Sequence, residues 1–325
     1  MRLSTFLIAF LCSTALSFAE ADRMGAKLQP ITVSAGGIER RALVHAPPTV
    51  DAKIPLPVVL MFHGIGGTPE LCATETGWVA KADTERFIIV FPAATRPDMK
   101  QPPKFGRNNP AWNDGSGRFH AGESKVPDVA FIVALLDQLE AGFPVDKARI
   151  FASGFSNGAS MTFRVGMELS GRIAAIAPVA GAFWIAEPKA ARPVSLLYLT
   201  GTKDPLNPLA GGVPRMAGGA EFKGAPQQAK PPVRGNITKW AKLIGSAVEP
   251  KLVSNTPDGI TTEIYAGGRE GTEIVFTTIA DQGHIWPGAE RMLPEAIVGK
   301  ATRHLMATDV VWEFFKAHPR PLSTP

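Results

Sequence analysis

Gly154-Phe155-Ser156-Asn157-Gly158 has the form G-x-S-x-G, and its flanks decide how it is read. Ala148-Arg149-Ile150-Phe151-Ala152 before it is an apolar, strand-like segment, and Ala159 to Leu169 after it reads as a helix. A strand entering and a helix leaving is the setting in which this motif forms a sharp turn that lifts a serine hydroxyl above a sheet. Gly154 and Gly158 then avoid the collisions a Cβ would make with the neighbouring strand or helix. The N-terminus of the following helix turns unpaired N–H groups toward the hydroxyl. In a chain with 32 glycines the bare pattern also arises by chance as an ordinary loop, so the rest of the chain must supply partners.

Working outward, Ile31–Val33 and Arg41–His45 read as an antiparallel hairpin turning at Ala35-Gly36-Gly37. Pro57 to Phe62 and Phe87 to Phe91 are continuous apolar runs, the pattern of strands buried on both faces. Thr68-Pro69 opens a helix expected to run through Trp78 to Asp83. Residues 92–126 form a long connection rich in Pro, Gly and Asn, and a loop of that length in a compact domain is usually functional. A helix from Val129 to Leu139 is apolar almost all round and is expected to be deeply buried. Beyond the elbow come strands at Ile173–Ala177 and Pro193–Leu199 and a Gly/Pro-rich excursion over 205–235. A short helix at Thr238–Leu243, strands at Thr261–Tyr265 and Thr272–Ile279, and a closing helix at Ala301–Ala317 complete the chain. Strands alternating with helices predict an α/β fold with a mainly parallel central sheet and helices on both faces. In such sheets the ligand site lies at the C-terminal strand ends.

A serine hydroxyl needs a base, and the base needs an orienting acid. Of six histidines, His284 in Gln282-Gly283-His284-Ile285-Trp286-Pro287-Gly288 follows the last apolar strand and is the best-placed base. His63 ends an earlier strand beside Gly64, where a histidine more often braces a loop. With serine, acid and histidine in that chain order, the acid is Asp204 in Gly201-Thr202-Lys203-Asp204-Pro205, with Asp258 and Asp281 as rivals. The oxyanion donors are expected to be the N–H of Asn157, after the nucleophile, and that of Ile65 in the His63-Gly64-Ile65 loop. Trp112 and Trp286 are candidate substrate platforms, a core role being the alternative for each.

Composition narrows the classes. Apolar residues make up 45% and charged residues 19%, which does not suggest disorder. The net charge of +5 is scattered, with no clustered basic patch for nucleic acid. Arg2, the apolar run Leu3–Leu16 and the small residues at Ala19 and Ala21 read as a secretory signal peptide over 1–21. That run is too short for a membrane span, which needs about 20 apolar residues. A soluble exported protein follows, with residues 22–325 as one catalytic domain. Cys12 belongs to the signal, leaving Cys72 with no disulfide partner and no cysteine-based metal site.

The chain resembles the exported polyhydroxybutyrate depolymerases and the feruloyl or acetyl-xylan esterases of carbohydrate esterase family 1, within the α/β-hydrolase superfamily. The matching stretches are Phe62-His63-Gly64, Thr76-Gly77-Trp78, Trp112-Asn113, Val126 to Phe131, Gly154 to Met161, Ala177 to Gly181, Gly201 to Pro205 and Gly283 to Gly288, in order over nearly the whole chain. The resemblance implies Ser156 as nucleophile, Asp204 as acid and His284 as base, with no metal or organic cofactor. It differs from the family in having Ala159 where a second glycine is common and Pro127-Asp128 where an acidic pair is common. Ile65 stands where some members carry a disulfide-bonded cysteine. The implied substrate is a small or oligomeric ester, either of hydroxyalkanoates or of feruloyl or acetyl groups on polysaccharide. A non-catalytic exported binder on the same fold is the competing class, opposed by the intact Ser, Asp and His.

Overall fold

A computed structural model describes residues 28–221 and 227–321. The expected signal peptide, with Cys12, lies outside the described residues, as do residues 222–226 of the Gly/Pro-rich excursion.

Strands β1 (Gln29–Ala35) and β2 (Ile38–His45) form the expected antiparallel hairpin around Gly36-Gly37. Next come β3 (Leu56–Phe62), helices α1 (Pro69–Thr76) and α2 (Trp78–Glu85), and β4 (Ile88–Pro92). The single helix expected across 69–83 is two helices, because Gly77 adopts φ 70° and breaks it. Thr68 caps α1 by accepting from the Leu71 N–H. The connection over 92–126 holds a short helix, α3 (Phe119–Glu123), and leads into α4 (Asp128–Gly142). The elbow strand β5 (Val145–Phe155) and elbow helix α5 (Asn157–Glu168) follow, then β6 (Ala175–Val179), β7 (Ser195–Gly201) and α6 (Val233–Ile244). The chain closes with β8 (Leu252–Asn255), β9 (Ile260–Tyr265), β10 (Ile274–Ile279), α7 (Glu295–Val298) and α8 (Ala307–Ala317).

All ten strands join one sheet in the order β1-β2-β4-β3-β5-β6-β7-β10-β9-β8. From β4 through β10 every neighbouring pair is parallel, and antiparallel strands finish both edges. Strand side chains alternate between two helical layers. Val58, Leu60 and Phe62 pack with α4, α5 and α6, whereas Val59 and Met61 pack with α1, α2 and α8. Each fully buried Val, Leu or Phe of this double core contributes about 1.5–3 kcal/mol. This is the α/β-hydrolase architecture, and the C-terminal ends of β3, β5, β7 and β10 share one edge.

Helix α4 is less enclosed than its composition suggests. Phe131, Ile132, Leu135, Leu136 and Leu139 are buried, but Ala130, Asp137 and Gln138 lie open to solvent. Its first residue carries a more demanding burden. The Arg40 guanidinium donates to Asp128 Oδ1 at 2.7 Å, with both side chains essentially inaccessible. Asp128 Oδ2 accepts from the Asn113 N–H at 2.8 Å. Burial raises the Asp128 pKa, and Arg40 opposes that rise. Removing one member of such a pair leaves the other buried and uncompensated. Asp128→Ala should therefore lower stability by about 3–5 kcal/mol in equilibrium denaturation, and a variant as stable as the parent would refute this account.

Candidate active site

The elbow places Ser156 at φ 58° and ψ −117°, a conformation that costs of order 1–3 kcal/mol for a residue with a Cβ. The surroundings impose it. Ser156 N–H donates to Val179 O at 3.0 Å, and Ser156 O accepts from Ser160 N–H at 3.1 Å. A Cβ at Gly158 would stand 2.2 Å from Phe62 O, and one at Gly154 would stand 2.5 Å from Gly158 O. Strand β3, the elbow and helix α5 therefore touch backbone to backbone.

His284 lies across from the serine. Its Nε2 is 2.8 Å from Ser156 Oγ, and its Nδ1 is 2.8 Å from Asp204 Oδ2. A carboxylate only accepts, so Nδ1 carries the proton and the Nε2 lone pair faces the hydroxyl. Asp204 is buried at the end of β7, where its Oδ1 accepts from the N–H groups of Leu206 (2.9 Å) and Asn207 (2.7 Å). Phe155 packs against the imidazole, ring centroids 4.8 Å apart. The loop bearing His284 is pinned by Gly283 N–H to Lys300 O and His284 N–H to Val298 O. Asp281 points its side chain into solvent and Asp258 sits in an exposed turn, so neither rival approaches the imidazole.

The surroundings of the expected oxyanion donors are equally constrained. A Cβ placed on Gly64 would lie 3.3 Å from Ser156 Cβ, so the Gly64-Ile65 backbone runs directly against the serine. Asn157 is the first residue of α5, where an N–H has no partner within the helix. The Ile65 N–H donates no hydrogen bond among the described residues. The Asn157 side chain is fully engaged. Its Oδ1 accepts from Trp112 N–H (2.8 Å), and its Nδ2 donates to Asp114 Oδ2 (2.8 Å) and Trp112 O (3.3 Å).

Both tryptophan assignments need correction. Trp112 is 0% exposed. Its Nε1 donates to His63 O at 3.0 Å and its ring meets Phe62 edge-on, so it braces the end of β3 and offers no face to a ligand. Trp286 is 4% exposed, within the core formed with α1, α2 and α8. Its Nε1 donates to Thr308 Oγ1 at 3.2 Å, and Thr308 in turn donates to Thr76 O, which anchors the His284 loop to two helices. Phe155 is the ring that packs on His284, and half-buried Trp184, in the loop after β6, lies over the Arg118 guanidinium at 4.2 Å. The sequence carried no signal for Trp184, since nothing in it tells which tryptophan reaches the surface. Asp114, next to the Trp112-Asn113 motif, accepts from both Asn157 Nδ2 and the Arg118 guanidinium.

His63 is a structural histidine. Its Nε2 accepts from Ala94 N–H at 3.1 Å, so its protonated Nδ1 donates to Gly64 O at 2.7 Å. Cys72 is buried, and that burial pushes its thiol pKa upward, as befits a packing residue.

The profile of the phospholipase/carboxylesterase family matches residues 50–213, from before β3 to beyond Asp204. Feruloyl esterase B of Piromyces equi is 29% identical over 254 residues, 75% of this chain and 42% of that protein. Poly(3-hydroxyalkanoate) depolymerase C of Paucimonas lemoignei is 29% identical over 139 residues, 42% of this chain and 30% of that protein. The chain thus spans less than half the length of these curated relatives. The solved structure of an acetyl xylan esterase from Aspergillus awamori superposes with a TM-score of 0.54 at 13% identity, covering 79% of this chain and 94% of that one, a likeness of fold.

Burial, ahead of every other influence, lowers the His63 pKa from 6.5 to about 4. Between those values the unfolded chain takes up a proton that the folded chain refuses, so this contribution is full above about 6.5 and is lost as pH falls towards 4. His63→Gln should flatten that part of the dependence of melting temperature on pH. An unchanged acid limb in the variant would show that His63 is not its source.

Proposed function

The chain belongs to the phospholipase/carboxylesterase family, and from that premise we propose that it is a serine carboxylic ester hydrolase acting through an acyl-enzyme. The observation that supports this most is the continuous path from Ser156 Oγ through the His284 ring to Asp204, 2.8 Å at each step. Ser156 Oγ attacks the ester carbonyl carbon while His284 Nε2 takes the hydroxyl proton. Negative charge gathers on the carbonyl oxygen, where the N–H groups of Asn157 and Ile65 meet it. Such a donor is worth about 3 kcal/mol in the transition state. As the tetrahedral intermediate collapses, His284 returns the proton to the departing alkoxide oxygen and the acyl group stays on Ser156. Water then attacks the acyl carbon, giving its proton to His284, and the acid leaves as Ser156 is reprotonated. Asp204 holds the imidazole and stabilises its cationic form throughout. This chemistry calls for no metal or organic cofactor.

The substrate reading is a hydroxyalkanoate oligomer or similar ester, supported by the likeness to the poly(3-hydroxyalkanoate) depolymerase. A second reading, feruloyl or acetyl ester cleavage on polysaccharide, is favoured by the longer match to the feruloyl esterase. The apolar N-terminal run supports export after cleavage of residues 1–21, with the catalytic domain formed from 22–325.

Fluorophosphonate labelling with peptide mapping, run beside a p-nitrophenyl butyrate assay, tests the chemistry. Label is expected on Ser156 and should disappear in Ser156→Ala and His284→Ala, with kcat reduced at least about 1,000-fold in each. A folded protein that takes no label and turns over no ester would sink the proposal and favour a binding protein on this fold. A panel of hydroxybutyrate oligomers, feruloyl esters and acetylated xylan then separates the two substrate readings.

A further inference from the structure

Asp204 and Ser156 hang from different strand ends, and the imidazole between them has a fixed length. Ser156 follows β5 and Asp204 follows β7, with β6 lying between those strands. A contact of 2.8 Å at each end of the His284 ring leaves little room for the two ends to drift. The ladder between β6 and β7 is interrupted near these ends. It pairs Ile176 with Leu196 and resumes only at Val179 with Leu199. Ala177 and Pro178 fall in the gap, opposite Leu197 and Tyr198, and a proline has no N–H to give.

Buried side chains tie the same strand ends together. Tyr198 is 0% exposed, and its hydroxyl donates to Gly181 O at 2.6 Å. Gly181 lies against the backbone behind the nucleophile, since a Cβ there would stand 2.7 Å from Ser156 O and 2.8 Å from Ser160 N. The Tyr198 hydroxyl also accepts from Asn207 Nδ2 at 2.9 Å. Asn207 Nδ2 reaches Thr200 Oγ1 at 3.3 Å as well, and the Asn207 N–H donates to Asp204 Oδ1 at 2.7 Å. The buried Lys230 ammonium donates to Asn207 Oδ1 at 3.2 Å. An ammonium only donates, so the amide oxygen must face Lys230 and Nδ2 must turn to Tyr198. The Tyr198 proton is then free to go to Gly181 O. Burial, the largest influence on the Tyr198 hydroxyl, raises its pKa and keeps that proton in place.

We infer that Asn207 and Tyr198 are positioning residues, a buried strut that runs from the turn bearing Asp204 to the backbone behind Ser156 and holds the two at the separation the imidazole spans. Lys230 fixes the orientation of the Asn207 amide within it. The strut acts on spacing and takes no part in proton transfer. This rests on the esterase reading and adds to it the residues that set the triad's geometry. A displacement of about 1 Å at a reacting group can cost about 100-fold in rate, which makes such a tie consequential.

The test uses the full-length protein. Tyr198→Phe removes one hydroxyl and keeps the ring packed against Phe163 and Phe276. Asn207→Ala breaks the strut one bond away and spares the Tyr198–Gly181 contact. With p-nitrophenyl butyrate, each should lower kcat about 10- to 100-fold while KM changes less than about two-fold. The double variant should lose no more than the weaker of the two singles, because the strut is broken only once. Denaturation curves choose a temperature at which each variant is folded, and if one does not fold the other is read alone. A second readout needs no turnover. The His284 Nδ1 proton, held against Asp204, should give a low-field proton NMR resonance in the parent that moves upfield or broadens in the variants. A folded variant with kcat within about two-fold of the parent overturns the strut, and so does an additive loss in the double variant. A low-field resonance that is absent in the parent or unmoved in the variants overturns it too. A parent that turns over no ester and takes no fluorophosphonate label overturns the esterase reading, while the imidazole proton still tests the strut.

Discussion

The rest of the structure depends on one backbone conformation, that of Ser156. A residue with a Cβ holds φ 58° only where its neighbours leave no alternative, and here three separate segments enforce it. Strand β3 closes in from one side, where Phe62 O would lie 2.2 Å from any Cβ on Gly158. The loop after β6 closes in from another, where a Cβ on Gly181 would be 2.7 Å from Ser156 O. The hydrogen bond to Val179 O fixes the third direction. The glycines surrounding the elbow are consequences of this crowding. So is the order of the central strands, since only β3 and β6 flanking β5 bring those backbones so near.

A second layer of buried polar groups carries that geometry outward. Arg40 holds Asp128, Asp128 holds the Asn113 N–H, and the adjoining Trp112 and Asp114 clasp the Asn157 side chain. The long connection over 92–126 is therefore a scaffold for the start of α5. Its carboxylates are costly to bury and are retained because each has several donors. The acid side is organised likewise, with Asp204 held by two backbone N–H groups and backed by Asn207.

Much of this was legible in the sequence, and what was missed follows a pattern. The central strands announced themselves because both of their faces are buried, which produces unbroken apolar runs such as Pro57–Phe62. Ser156, Asp204 and His284, singled out by residue type and by their place after strands, lie within hydrogen-bond reach in the order Ser156, His284, Asp204. Edges and ends were less visible. β8 has all four residues exposed, so no burial pattern marks it. β6 begins later than expected and runs through Pro178, a residue that normally ends a strand, because its pairing with β7 skips that position. Helix α6 starts at Val233 and α8 only at Ala307, since Pro232 and the turns around α7 set those limits. The two nominated tryptophans were misjudged for a related reason. Proximity in sequence to a functional residue says nothing about which way an indole faces, and Trp112 and Trp286 both turn inward to hold the loops that bear the site.

The Ser156–His284 pair joins positions 128 residues apart, and His284–Asp204 joins positions 80 apart. Contacts of such span are closed late, after the entropy of large loops has been lost. A chain made from its N-terminus presents the serine well before its acid, and the acid well before its histidine. No intermediate lacking β10 can seat the imidazole, because the loop that carries it is strung from that last central strand. The proposed nucleophile therefore meets its proposed base only once β10 and the loop beyond it are in place.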